Sequence, residues 1–334
     1  MTTERLYKKA ERADDMADLD LKDADPKELA KAIYEQWIGS ISRHSYYPPN
    51  QKDIDANYNL GLAMVRPYRE KFKGVLRPRE WYDNGEFLSI LLNGTDLERL
   101  VLDFDDYPDS AGYRLGTGKT LEINGNKEKA IAERHSVAAF GQGGTLINNG
   151  YIMFAGWHSD LDFSNYGKCY SAANNATGGK WVNYNHISGP FAEEAKDGLF
   201  INRGTARSFG MEAEGGVGIN LGKVTQSIAG KAKGGLWLNF GEGQSMGSNA
   251  GGGIFISTVR VGKSWIKNHH SFANGAYKDA IAIRPAELKT DPELFDLVEA
   301  VEQAAREEKY EEVKQLARKV DAHVRVNYRG RKVA

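Results

Sequence analysis

Residues 235–257 read GLWLNFGEGQSMGSNAGGGIFIS, a stretch in which many glycines are mixed with apolar side chains. Glycine loses more backbone freedom on folding than other residues, so a glycine-rich run often marks a flexible linker. A solvated linker would not expose Leu236, Trp237 and Leu238, nor the second apolar run at 254–256. The stretch therefore indicates a structure that needs both residue types at fixed positions.

The two apolar runs belong to a repeat that covers the middle of the chain. Each unit opens with glycine, or with aspartate in one degenerate copy, and continues with apolar residues. Most units end in asparagine, and their starts lie 16 to 19 residues apart. The units are Gly144–Asn148, Asp160–Ser164, Gly179–Asn183, Gly198–Asn202, Gly216–Asn220, Gly235–Asn239 and Gly253–Ser257.

A second regularity lies inside the first, because glycine recurs every six residues and divides each unit into about three short segments. Tight corners between short strands need a positive φ, which glycine adopts without steric cost. We therefore predict structural corner glycines at Gly198, Gly204, Gly210, Gly216, Gly222, Gly235, Gly241, Gly247 and Gly253.

These periods predict a mainly β fold: a single-stranded β-helix, or solenoid, with about 18–19 residues per coil. Stacked coils would pair their strands into long parallel sheets around an apolar interior. The asparagines at the unit ends would form a ladder of side-chain amides. Alternation along the strands predicts an inward stripe made of Leu236, Leu238, Ile254 and Ile256.

The stretch GMEAEGGVGINLGKVTQSIAGKAKGGLWLNFGEGQSMGSNAGGGIFIS resembles the GXGXG β-helix domain family. That family includes the C-terminal domain of the glutamate synthase large subunit and one of the subunits of formylmethanofuran dehydrogenase. Paired glycines before each strand carry the resemblance, at 215–216, 234–235 and 252–253, and it covers residues 140–262. It implies a right-handed β-helix that supplies spacing and contact surfaces, with redox chemistry on other domains. A left-handed hexapeptide helix has a similar coil length and stays the alternative.

Helical appendages are predicted at both ends of the chain. Asp25 and Pro26 provide a helix start, followed by apolar residues at helical spacing. Two apolar stripes, at 294–301 and 310–320, predict a helical hairpin. From His323 onward, apolar and polar residues alternate, which predicts a strand, and a basic tail follows. Because solenoid ends leave unpaired backbone groups, we expect these helices to cap the ends.

The predicted domains follow from this organisation. Residues 1–85 form a helical and irregular N-terminal region. Residues 86–283 form the β-helix domain, with clear repeats over 144–262, and residues 284–334 form the helical hairpin and basic C-terminal tail.

Composition narrows the class of protein. The formal net charge of −1 gives no global attraction to nucleic acid or membranes. The single cysteine, Cys169, excludes an intrachain disulfide and a cysteine-built metal cluster and suits a reducing compartment. The charged N-terminus lacks the apolar core of a secretory signal, and no run reaches the length of a membrane span. We expect a cytoplasmic protein without membrane contact, cofactor or bound metal.

Three short motifs bear on catalysis. GTGKT at 116–120 misses the spacing of a phosphate loop and precedes a strand-like segment, so we interpret it as a turn between strands. His158, Asp160 and Asp162 could supply a base and a carboxylate pair or a polar strand face, with His186 as another candidate base. The pair at 269–270, His-His, fits a surface or interface better than a metal site.

A basic segment with interleaved aromatic residues provides a candidate contact for RNA or a protein partner. Basic side chains can neutralise phosphates while aromatic rings stack on unpaired bases. The basic C-terminal tail would extend this surface if the two segments meet in space. The candidate contact residues are Arg66, Arg69, Lys71, Lys73, Arg77, Arg79, Trp81, Arg325, Arg329, Arg331 and Lys332.

The leading functional hypothesis is a non-catalytic scaffold or assembly protein. Its rigid β-helix would mediate contacts with a protein partner or with further copies of the chain in a homo-oligomer. One alternative is an RNA- or ribosome-associated factor that uses the basic and aromatic segment. Another alternative is a hexapeptide-type transferase, or a non-catalytic subunit of a redox complex.

Overall fold

A computed structural model describes residues 25–40, 51–76, 85–105, 110–126, 137–259 and 279–328. The chain forms a β-solenoid of about eight turns, with helices in its N-terminal and C-terminal regions. The N-terminal elements are α1 (Pro26–Ser40), α2 (Gln51–Val65), a 3₁₀ helix (Arg66–Lys71), β1 (Gly74–Leu76) and α3 (Gly85–Gly94). The C-terminal helices are α4 (Pro285–Leu288), α5 (Pro292–Arg306) and α6 (Tyr310–Asn327).

The strands of successive coils stack into two parallel sheets. The eleven-stranded sheet contains β1, β2 (Leu97–Leu102), β3 (Thr120–Ile123), β4 (Gln142–Asn148), β6 (Asp160–Asn165), β8 (Gly178–Asn183), β10 (Leu199–Asn202), β12 (Val217–Asn220), β14 (Leu236–Asn239), β16 (Gly252–Ser257) and β17 (Asp279–Ile283). The six-stranded sheet contains β5 (Tyr151–Ala155), β7 (Lys168–Ala172), β9 (His186–Phe191), β11 (Thr205–Phe209), β13 (Lys223–Ile228) and β15 (Glu242–Met246).

A third side of each coil is a tight turn that connects the two sheets. Its backbone bonds to the coils on both sides: Ala192 N–H donates to the Ala172 carbonyl at 3.0 Å, and Glu194 N–H donates to the Met211 carbonyl at 2.8 Å. Both residues have positive φ, so the third side repeats a left-handed conformation at two positions per coil. These bonds satisfy turn backbone groups that the two sheets cannot reach.

The central residue of an apolar triplet faces the interior and the flanking ones do not; at Gly218 the space is taken by Trp237 of the next coil. Trp237 and Phe255 lie in the interior cluster, together with the thiol of Cys169. The prediction that Leu236, Leu238, Ile254 and Ile256 point inward is wrong, because they belong to a second cluster on the outer face. All four residues of β14 are buried, since the strand is covered on both faces.

The asparagine ladder is confirmed. Side-chain N–H to carbonyl bonds run from Asn148 to Asn165 at 2.6 Å and continue to Asn183 at 2.8 Å. The next bonds join Asn183 to Asn202, Asn202 to Asn220 and Asn220 to Asn239, at 2.8, 2.8 and 2.7 Å. Because these amides are fully buried, the ladder fixes the register between coils.

The predicted helical hairpin is formed by α5 and α6, but it lies on the side of the solenoid. Its apolar stripes pack on the outward residues of the eleven-stranded sheet, including Ile201, Ile219 and Leu238. The expectation that it caps the last coil is therefore corrected, because its apolar stripes are buried against the outer face of this sheet. The strand predicted after His323 is also wrong, since α6 continues to Asn327.

The N-terminal helices do close the interior at its first end. α1 begins at Pro26 as predicted and buries Leu29, Ile33 and Trp37. These side chains share one cluster with α3 and with the interior of the first coils. The Trp37 and Phe87 rings lie 5.7 Å apart, so α1 is anchored on α3.

Candidate functional site

The predicted corner glycines occupy two kinds of position. Gly204, Gly222 and Gly241 follow the asparagine ladder, and a Cβ there would overlap a backbone carbonyl of the preceding coil. The remaining six have φ between 65° and 126°, a region that side chains rarely adopt. Those six are Gly198, Gly210, Gly216, Gly235, Gly247 and Gly253.

The six-stranded sheet presents an exposed face with a basic character. Lys168 and Tyr170 are exposed on β7, Arg207 on β11 and Lys223 on β13. Tyr170 packs edge-on against Phe154, with 5.7 Å between ring centroids. Lys223 pairs with Glu242 at 3.1 Å at the edge of the sheet. We call Lys168, Tyr170, Arg207 and Lys223 the basic face; the Tyr170 side chain keeps 38% of its surface exposed.

Helix α5 presents a face of opposite charge. Glu293, Asp296 and Glu299 are exposed at a spacing of three residues, which aligns them along one side of the helix. Beside them lies a shallow depression of about 620 Å³ that includes Asp296, Glu299 and the small side chain of Ala300. We call Glu293, Asp296, Glu299 and Ala300 the acidic face.

A clamp holds the tip of the helical hairpin to the solenoid. The Arg203 guanidinium donates to the carbonyls of Ala305 and Arg306 at 2.6 and 2.7 Å and pairs with Glu308 at 3.1 Å. The Tyr184 and Tyr310 hydroxyls lie 2.9 Å apart. A cation at the end of α5 satisfies carbonyls without intrahelical partners, so Arg203 acts as the cap of this helix.

Five of the residues proposed for RNA or partner contact lie in the described ranges, and they fall at two separate places. Arg66, Arg69, Lys71 and Lys73 are exposed beside β1. Phe72 is buried and cannot stack on a base. The remaining members of that segment, Arg77, Arg79 and Trp81, lie outside the described residues.

Arg325, the described residue of the predicted C-terminal group, lies far from these four. Arg325, near the end of α6, binds Asp321 at 2.7 Å, and α6 ends beside Asp291, which follows the last strand. The first and last strands of the eleven-stranded sheet are about 50 Å apart at the usual strand spacing. Arg329, Arg331 and Lys332 lie outside the described residues.

The candidate catalytic residues are divided between three places. His158 and Asp160 line one groove on the third side of the solenoid. Asp162 lies farther along β6 and pairs with Lys180 at 3.0 Å, while His186 is half-buried at the start of β9. Within the described ranges, no three metal-ligating side chains are close enough to share an ion, and the predicted pair at 269–270 falls outside those ranges.

The GTGKT motif forms a turn followed by β3, as predicted. Lys119 donates through Nζ to the carbonyls of Thr95 and Leu97, at 2.8 and 2.6 Å. Burial lowers the pKa of Lys119, and neighbouring Asp96 and Glu98 oppose that shift. The lysine therefore joins two coils and is not presented to a phosphate.

A carboxyl group at the junction of the helical cap and the first coil escaped the sequence-based predictions. Burial, and then the charge of Asp55, raise the pKa of Glu86 to about 7. Its Oε1 is buried and has no hydrogen-bond partner. The nearby Tyr58 has its pKa raised to about 12 by burial, against the hydrogen bond from Asn93. A signal was available, since Glu86 is the one charged residue in the α3 segment GEFLSILLNG.

Burial also explains the lone cysteine. Cys169 lies fully inside the solenoid, and this burial raises the pKa of its thiol well above the ordinary value. A buried thiol that keeps its proton behaves as a small apolar side chain.

None of the described helices is long and apolar enough to cross a membrane. Comparisons of the chain with protein-family models, with curated proteins and with solved structures find no match. The resemblance of residues 140–262 to the GXGXG β-helix domain therefore stays a prediction.

Proposed function

We propose that the chain is a non-catalytic scaffold that assembles with further copies of itself, the basic face of one copy binding the acidic face of another. The observation that carries the proposal is the match between these faces. The exposed ring of Tyr170 stands beside Lys168 and two strands from Arg207. The depression at Ala300 is bordered by the carboxylates of Asp296 and Glu299, and its one cation among the described residues, Arg306, is paired with Glu302 at 2.7 Å.

An aromatic anchor in a small pocket, with charges around it, is the usual composition of an energetic hot spot. The Tyr170 ring would fill the depression at Ala300. Lys168 and Arg207 would then approach Asp296 and Glu299, which form no ion pair with another described residue. Such complementary charges favour this pairing over contact between two basic or two acidic faces.

The rigidity of the solenoid supports a scaffold role. Parallel ladders and the buried asparagines hold the basic face in one conformation, so little ordering is needed on association. The acidic face is fixed in turn by the packing of α5 on the eleven-stranded sheet. Because the two faces differ, the contact is head-to-tail and extends into a ring or an open chain of copies.

Light scattering coupled to size exclusion tests this proposal. We expect a mass above that of one chain, rising with protein concentration and falling as salt screens the charges. The double variant K168E/R207E and the single variant Tyr170→Ala should both elute as monomers. The control R66E/K73E makes the same charge change at the first end and should assemble like the unchanged chain.

Three results would contradict self-assembly through these faces. One is a monomer at every concentration and salt. Another is an equal loss of assembly in R66E/K73E. The third is co-elution with single-stranded RNA that K168E/R207E abolishes, which would assign the basic face to nucleic acid.

A further inference from the structure

One position on the third side of the solenoid keeps its backbone conformation from coil to coil but differs in residue type in the early coils. On the third side, one residue of each coil donates its backbone N–H to the next coil. This residue has positive φ in successive coils. In two of the early coils this residue is Phe140, with φ 55°, and His158, with φ 51°; Trp157 precedes His158. A positive φ is uncommon for a bulky residue such as Phe140, whereas histidine adopts it more readily. The later coils hold amide or charged residues there, namely Asn175, Glu194, Glu212, Lys231 and Asn249.

A bulge in β4 opens the surface beside these rings. Gln142 pairs with Asp160 and Thr145 with Asp162, so β4 has one residue more than β6 between those pairs. Gly143, within the bulge, has φ 85°. Bulges often adjoin binding sites because they redirect neighbouring side chains.

The result is a groove of about 360 Å³, a volume within the range of small-ligand sites. It combines the phenyl ring of Phe140 with side chains that donate and accept hydrogen bonds. Its side chains are Phe140, His158, Asp160, Thr117, Gln142 and Thr177.

Two polar side chains of the groove, His158 and Asp160, have no hydrogen-bond partner within the described chain, whereas the Thr117 hydroxyl donates to the Gln142 carbonyl at 3.3 Å. Neither the imidazole of His158 nor the carboxylate of Asp160 forms a hydrogen bond or an ion pair with another residue of the described chain. By contrast, Asp162 on the same strand is paired with Lys180. Hydrogen-bonding groups left open in a groove are available to a ligand.

The charges around His158 define what the groove accepts. Burial and then the charge of Lys196 lower the pKa of His158, against the opposing charge of Glu194. The imidazole is therefore neutral near pH 7, with one donor and one acceptor nitrogen. The His158 ring is parallel to Phe140 within 11°, with 5.8 Å between centroids.

We propose that this groove binds a neutral carbohydrate of one or two sugar rings. Sugar hydroxyls both donate and accept, so they match the carboxylate, the imidazole, the amide and the two threonine hydroxyls. The apolar C–H face of a sugar ring fits against Phe140. The Asp160 carboxylate disfavours an anionic ligand, and Lys196 near His158 disfavours a cationic one.

Saturation-transfer NMR on the full chain tests this with maltose, cellobiose and chitobiose as probes. We expect transfer to at least one disaccharide, with a dissociation constant on the order of 1 mM. Asp160→Ala should weaken binding about tenfold through the loss of hydrogen bonds to a charged group. Asp162→Ala, on the same strand but outside the groove, should bind like the unchanged chain.

His158→Asn provides a second variant that preserves the fold, because the next coil holds Asn175 in the same conformation. It should also weaken binding while leaving the thermal unfolding midpoint unchanged. The proposal is overturned if no disaccharide shows transfer. Equal affinities for the Asp160→Ala and Asp162→Ala variants would overturn it as well.

Discussion

At most corners that follow a ladder asparagine, the neighbouring coil leaves no room for a side chain, and the residue there is glycine. A Cβ at Gly241 would overlap the carbonyl oxygen of Gly222, whereas at Gly251 the nearest atom, the Ala232 carbonyl oxygen, is 3.9 Å away. We predict that Gly241→Ala lowers the free energy of unfolding by about 1–3 kcal/mol through overpacking. Urea unfolding measures this, and Gly251→Ala serves as the control that should change stability little.

Equal effects of the two alanine variants would contradict the corner geometry. The repeat gives the position of Gly241, but not the reason that glycine is needed there. Glycine is needed at this corner because the preceding coil lies too close for a side chain, and not because φ is positive. A single sequence does not show how closely two coils approach.

The direction of each side chain was harder to predict than the repeat. In LWLN the flanking leucines face outward and Trp237 faces inward, although alternation alone allows either choice. The terminal Asn239 carried the missing signal, because a buried ladder residue shares its face with the residue two positions before it. Three consecutive apolar residues also indicate a strand covered on both sides.

Among the elements, the helical hairpin depends on the cap that Arg203 provides. We predict that Arg203→Ala frees the tip of the hairpin and costs about 2–3 kcal/mol, typical of hydrogen bonds to a charged group. Hydrogen exchange should increase at the end of α5 and the start of α6. Arg318→Ala, an exposed change on α6, should leave exchange there unaltered.

Unchanged exchange in the Arg203→Ala variant would show that apolar packing alone holds the hairpin. Its two helices could be predicted from their apolar stripes. Its docking on the side of the solenoid could not, since that depends on which residues of β10 to β16 face outward.

The junction of α3 with the first coil makes stability dependent on pH. The folded-state pKa of Glu86, about 7, lies above its ordinary value of 4.5. Below pH 4.5 the Glu86 carboxyl is protonated in both the folded and the unfolded state, so it does not change the free energy of unfolding. As pH rises from 4.5 through 7 the unfolded chain ionises first, so the free energy of unfolding falls by about 3 kcal/mol.

Glu86→Gln removes this dependence. We predict urea midpoints close to those of the unchanged chain at pH 5 and higher than those at pH 8. Glu70→Gln, at an exposed position, should follow the unchanged chain at both values. A Glu86→Gln variant that is no more stable at pH 8 would contradict the burial of this carboxyl.

On the scale of the whole molecule, the basic face of the proposed interface is formed by the stacking of successive coils. Tyr170 and Arg207 lie on strands two coils apart, and only the stacked six-stranded sheet brings them onto one face. The solenoid itself could be predicted, because its period is repeated many times. The interface could not, because each of its residues occurs once and follows no period.

Charge exchange between the two faces provides the most direct test of self-assembly. K168E/R207E makes the basic face acidic, and a second variant, D296K/E299K, makes the acidic face basic. Each variant alone should remain monomeric, since its two faces then repel each other. Light scattering of an equimolar mixture at low salt should show assemblies again, because every contact then joins opposite charges. A mixture that stays monomeric while the unchanged chain assembles would contradict the account.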